Sequence, residues 1–151
     1  MSAQQQRLYF LLQLAAHGLR IKADSTVLEA VHLSTAQAAV LAVLADRGAM
    51  SQKQLSQQQM QRESAMTTMV SRLLKAEYVS RRRSREDARA WTLELTAQGR
   101  LALEQAAVPF GKVNELLDAC FPAAELEQLA HGLRALIEQL AKDDRLPLRP
   151  S

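Results

Sequence analysis

Aromatic residues make up only 4% of this 151-residue chain, and there is a single cysteine, Cys120. A lone cysteine closes no intrachain disulfide, which fits a reducing compartment and an expected place in the cytoplasm. With 5 glycines and 4 prolines, long irregular loops are not expected. No apolar run approaches the roughly 18 residues of a membrane span. The most apolar stretch, Leu8 to Leu19, is interrupted by Gln13 and His17 and followed by Arg20. No clear small-residue cleavage site follows it, so it reads as an amphipathic helix rather than a signal peptide. The chain has no Gly-rich phosphate loop, no H-E-x-x-H and no C-x-x-C, and His17, His32 and His131 are scattered. These absences argue against catalytic residues, a metal or a cofactor, and so against an enzyme.

What is present favours helix. The hydrophobic content is 48%, mostly leucine and alanine, which prefer helix to strand. A chain of this length holds one domain, with or without an oligomerisation element, and buries enough surface to need no staple. The formal net charge of +3 is unevenly placed. Between Arg62 and Arg89 lie eight cationic and four anionic residues, a local +4 that leaves the rest of the chain at −1. Such a patch fits either a polyanion partner or a solvated surface.

Leu8, Leu12, Ala15 and Leu19 mark one face of a first helix over about 4–22, widened by Phe10 and Leu11. Ser34 with Gln37, and Ser51 with Gln54, have the spacing of capping boxes that open a second and a third helix. Gly48 sits where the second should stop. The glutamine-rich stretch around 57–61 reads as a polar helix surface. A fourth helix over about 63–76 buries Met66, Met69, Val70, Leu73 and Leu74. Its opposite face carries Ser64, Thr67, Thr68, Ser71 and Lys75, short and free of acid, and suited to close approach to a groove.

The period then changes. Residues 78–82 and Trp91 to Leu95 read as two strands joined by a basic loop over 83–90. Helical spacing returns after Thr96, with a kink or break expected near Pro109. Pro122 fits the first turn of a last helix, striped by Leu126, Leu129, Leu133, Leu136, Ile137 and Leu140. The tail from Asp143, with Pro147 and Pro150, is expected to fray. The fold class expected is mainly α with a small β-hairpin: a winged helix-turn-helix with a helical dimerisation region. In that layout the fourth helix fits the major groove and the arginines of the wing reach the minor groove or the backbone.

The segment SRLLKAEYVSRRRSREDARAWTLELTAQGR, Ser71 to Arg100, and LSTAQAAVLAVLADRG, Leu33 to Gly48, resemble the MarR family of multiple-antibiotic-resistance regulators. The resemblance extends over nearly the whole chain. It implies one domain over 1–151, with a DNA-binding lobe at 34–96 and a helical dimerisation region at 4–24 and 97–142. It further implies a homodimer on double-stranded, pseudo-palindromic operator DNA, usually as a repressor. Family members often bind small aromatic or phenolic ligands between the two regions. Carried over by position, Ser64, Ala65, Thr67, Thr68, Ser71 and Arg72 fall in the recognition helix. Arg89 falls at the wing arginine that enters the minor groove, and Asp87 at the acid that braces it. Arg81, Arg82, Arg83 and Arg85 are read as backbone contacts.

Some positions depart from the family pattern. Glu77 stands where glycine is usual, implying strain of about 1 kcal/mol if the turn needs positive φ. Gln59 and Gln61 replace common apolar residues. Thr68 replaces a long donor, which shifts weight from bidentate guanine reading to shape and water-mediated recognition. Cys120, between Ala119 and Phe121, reads as a buried structural thiol rather than a redox sensor. The alternative reading is a helical protein-binding adaptor dimer without a specific DNA target; it uses the last leucine stripe but leaves the basic hairpin unexplained.

Overall fold

The computed structural model describes residues 3–142, with side chains from 7 onward except 27–30. The expected frayed tail lies outside the described residues. The order is α1 (Ala3–Val31), α2 (Thr35–Arg47), α3 (Gln52–Gln58), α4 (Glu63–Lys75), β1 (Val79–Arg83), β2 (Trp91–Leu95), α5 (Ala97–Cys120) and α6 (Ala123–Ala141).

The first helix runs well past the residue 22 that apolar spacing suggests. The polar run after Lys22 hides the continuation. Ser25 Oγ and Thr26 Oγ1 both donate to the Lys22 carbonyl, at 2.9 and 2.7 Å. Bonded back to the preceding turn, these residues stay inside a helix. Just before them, Asp24 Oδ1 accepts from the Thr35 backbone N–H at 2.8 Å and from its hydroxyl. A carboxylate at the start of α2 satisfies a free N–H and complements the helix dipole.

Both expected capping boxes are formed, Ser34 with Gln37 and Ser51 with Gln54. Gly48 ends α2 at φ 81°. Gln59 gains a role that its polarity concealed: its Nε2 donates to the Ala39 carbonyl at 3.2 Å and ties the end of α3 to α2.

The turns on either side of α4 are both left-handed and both lack glycine. Met60 has φ 52° and Glu77 has φ 61°. After α4, Tyr78 N–H donates to the Leu73 carbonyl and Glu77 N–H to the Leu74 carbonyl, each at 3.0 Å. This pair of bonds is the Schellman arrangement. It turns the chain abruptly from the end of α4 into β1.

The strands pair antiparallel, from Val79 opposite Leu95 to Arg83 opposite Trp91. On the free edge of β2, Leu93 and Met50 exchange backbone bonds at 2.8 and 3.2 Å. The hairpin is thereby fastened to the α2–α3 connection. Thr96 Oγ1 accepts from Gly99 N–H at 3.0 Å, opening α5, and donates to the Glu77 carbonyl at 2.7 Å. Here a glycine is required by space: a Cβ on Gly99 would run into the Tyr78 carbonyl oxygen.

The core lies between α2, α3, α4, the hairpin and the first half of α5. Leu33, Leu41, Leu55, Met66 and Leu73 are fully enclosed there, with Val79, Leu93 and Ala106 around them. The interior of α5 continues through buried Pro109 without a break. Pro122 stands one position before the first helical residue of α6 rather than within its first turn. No residue of α6 is buried in the single chain, and Leu136, Ile137 and Leu140 are 44%, 47% and 40% exposed. Cys120 is exposed, not buried: the last turn of α5 projects beyond the core.

Chemical denaturation should separate the two special turns. Glu77→Gly should stabilise the chain by about 0.5–1 kcal/mol, the left-handed strain less the added freedom of the unfolded state. Gly99→Ala should destabilise it by about 1–3 kcal/mol, through forced displacement of β1. A neutral Gly99→Ala would mean that the β1–α5 junction is looser than described.

Candidate nucleic-acid interface

The burial of Met66, Val70 and Leu73 fixes the rotation of α4. At 100° per residue the positions between them must face away from the core. Ser64, Ala65, Thr67, Thr68, Ser71 and Arg72 are accordingly all exposed. Met69 and Leu74 are half-buried at the margins of the stripe. The threonine hydroxyls fold back onto the helix, Thr67 Oγ1 to the Glu63 carbonyl at 2.8 Å and Thr68 Oγ1 to the Ser64 carbonyl at 3.4 Å. Thr67 Oγ1 also accepts from Gln52 Nε2 of α3 at 2.7 Å.

The wing is held by its own side chains. Ser84 Oγ accepts from the N–H groups of Glu86 and Asp87 at 3.2 and 3.3 Å. Ser84 N–H donates to the Ala90 carbonyl at 2.9 Å, and Ala90 N–H to the Asp87 carbonyl at 3.0 Å. Asp87 Oδ1 accepts from the backbone N–H of Arg89 at 2.9 Å. Asp87 therefore shapes the loop on which Arg89 stands, rather than pairing with its guanidinium.

The five wing arginines divide into two groups. Arg82 pairs with Glu94 at 3.1 Å across the strands. Arg83 stacks 4.3 Å from the centroid of the Trp91 ring, and its Nη1 donates to the Ala88 carbonyl at 3.0 Å. These two stiffen the hairpin stem. Arg81, Arg85 and Arg89 are exposed, with no ion pair among the described residues. Their charge is available to an external anion.

The start of α3 joins the two parts. Gln52 reaches α4, while Ser51, Lys53 and Gln54 line a cleft of about 770 Å³ shared with Arg82, Arg85, Glu86 and Trp91 of the wing. The exposed face of α4 and the wing thus flank one short helix start. Chemically the arrangement presents short hydroxyls and methyl groups on α4 beside exposed cationic tips on the wing, with Glu86, Asp87 and Glu94 confined to the cleft between α3 and the wing. Sequence reading missed Gln52, Lys53, Trp91 and Glu94. Strand register would reveal Trp91 opposite Arg83. Nothing in sequence spacing brings Gln52 to Thr67, fifteen residues away.

Among the described residues no group of three or more His, Cys, Asp or Glu could hold a metal ion, and no helix is long and apolar enough to cross a membrane.

Trp91 is the one tryptophan, so its emission reports on the hairpin stem. Arg83→Ala removes the stacked guanidinium, an interaction of roughly 0.5–1 kcal/mol at an exposed site. Acrylamide quenching of Trp91 should rise in that variant and stay unchanged in Arg85→Ala. Equal quenching in all three proteins would mean that Arg83 does not cover the indole.

Residues 33–91 match the model of the MarR family. Nothing among curated proteins matches the sequence. Among solved structures, the MarR family transcriptional regulator Sco3205 from Streptomyces coelicolor, in complex with DNA, superposes with TM-score 0.87 at 22% identity, covering 99% of each chain. The transcriptional regulator BldR from Sulfolobus solfataricus superposes with TM-score 0.78 at 23% identity, over 92% of this chain and 99% of its own. The PcaV regulator from Streptomyces coelicolor, in complex with its natural ligand, gives 0.72 at 21%, over 90% of this chain and 93% of its own. The six helices and two-stranded hairpin are those of the winged-helix MarR regulators.

Proposed function

We propose that this chain, whose winged-helix lobe is that of the MarR family, is a sequence-specific regulator that binds operator DNA as a homodimer. The observation that carries this reading is the junction at the start of α3. There an exposed, acid-poor recognition face and a wing with three unpaired arginines are built side by side. The face of α4 suits the major groove, and Arg89 on the wing suits a narrow minor groove, where negative potential is enhanced. Arg72, Arg81 and Arg85 supply phosphate contacts. The DNA bound by Sco3205 supports the same use of the shared fold.

The dimer completes the helical end of the molecule. Leu8, Phe10, Leu11 and Leu14 of α1 are more than half exposed in the single chain. Together with the apolar stripe of α6 they form more apolar surface than a monomer leaves open. A second copy related by a two-fold axis covers it and makes the target pseudo-palindromic. The regulator acts as a repressor, released by a small aromatic or phenolic ligand. The ligand held by PcaV supports this last step by likeness of fold alone. The adaptor alternative has no use for the unpaired wing arginines.

Duplexes selected from a random library, followed by anisotropy across a salt series, test the reading. Arg89→Ala should weaken binding by about 1–3 kcal/mol and lower the salt slope by about one unit per subunit. Binding as tight as the parent's at every salt concentration would contradict the wing assignment. Light scattering should give a dimer mass at micromolar concentration. Replacing Leu136 and Leu140 together with Gln should yield monomers that also lose operator affinity; a monomeric parent would overturn the dimer.

A further inference from the structure

We infer that Gln52 and Thr67 form a unit that reads a thymine methyl group, with Gln52 as the positioning residue and Thr67 as the contact. The inference rests on the DNA-binding reading above and adds a base preference to it. Thr67 has a single hydroxyl proton, and that proton is committed to the Glu63 carbonyl at 2.8 Å. The same oxygen accepts from Gln52 Nε2 at 2.7 Å. A hydroxyl has one proton to give. Thr67 therefore has none left for a purine N7, a guanine O6 or a phosphate. Its side chain is nevertheless exposed in the middle of the recognition face. With its proton and one of its two lone pairs engaged, the group it has wholly free for a groove is its methyl. In the major groove the complementary apolar feature is the C5 methyl of thymine.

Gln52 makes this assignment stable. A threonine in a helix otherwise divides between two rotamers, because its hydroxyl can bond the preceding turn from one of them. The second bond from α3 selects the rotamer in which the hydroxyl faces Gln52 and the methyl faces away from it. Thr68 has no such partner, and its own bond to the Ser64 carbonyl is long, at 3.4 Å. Its hydroxyl is held more weakly than that of Thr67 and can exchange that bond for one to a water or a phosphate.

The test uses full-length protein and the duplex that it selects from a random library. Each thymine of a half-site is replaced in turn by deoxyuridine, which removes the methyl group alone. One such replacement should weaken binding about fourfold per half-site, the value of one buried methyl. Thr67→Ser should bind parent and deoxyuridine duplexes alike. Thr67→Val, which keeps a methyl outward, should retain the discrimination. Gln52→Ala should lose most of it with an unchanged salt slope, since no phosphate contact is removed. Adding Thr67→Val to Gln52→Ala should restore it, which a merely structural role for Gln52 would not allow. If no thymine replacement separates the parent from Thr67→Ser, the inference is overturned while DNA binding stands. If the parent selects no duplex at all, the functional reading fails first, and this one with it.

Discussion

The burial of Met66, Val70 and Leu73 against Leu41, Leu55 and Leu93 is the constraint on which the rest of the molecule depends. Each such side chain contributes roughly 1.5–3 kcal/mol when removed from water. That stripe fixes the rotation of α4 and turns six short or cationic residues outward together. It also fixes where α4 ends. From there the left-handed Glu77 turn delivers the chain into β1, and Met50 clamps β2 at Leu93. The outward face of α4 and the wing are therefore positioned by one core, and neither can rotate independently of the other.

Charge is distributed by the same logic. Of the five wing arginines, Arg82 is paired with Glu94 and Arg83 is stacked on Trp91, whereas Arg81 on the stem and Arg85 and Arg89 on the loop make no ion pair among the described residues. Exposed ion pairs are worth little to stability. Their effect here is geometric, because they hold the stem so that the loop extends in one direction. Asp87 works in a similar way, through the main chain of Arg89 rather than its side chain. A carboxylate kept on the backbone N–H leaves the guanidinium unneutralised.

Much of this is legible in the residues. The S-x-x-Q boxes at Ser34 and Ser51, the stripe of α4 and the alternation of Trp91, Leu93 and Leu95 are local patterns, and each forms where the spacing places it. The length of α1 was not legible, because Ser25 and Thr26 look like a break until their hydroxyls are seen to bond backwards. The exposure of Cys120 was not legible either, since apolar neighbours suggest burial and only tertiary placement shows the end of α5 projecting. Long-range side-chain partners such as Gln52 with Thr67 leave no periodic trace. At Glu77 the missing glycine was read as a cost, and its φ of 61° agrees. Met60 and His32 have the same left-handed backbone, at φ 52° and 56°, and no sequence signal marked them.

In the proposed complex the outward face of α4 and the wing meet one face of a DNA duplex twice, once from each subunit. Hydroxyl-radical cleavage of the selected duplex measures this directly, because it maps backbone protection at single-nucleotide resolution. Two equivalent protected regions related by a dyad are expected, their centres about one or two helical turns apart, roughly 34–36 Å per turn. A single unsymmetrical region, or protection spread evenly along the duplex, would contradict it.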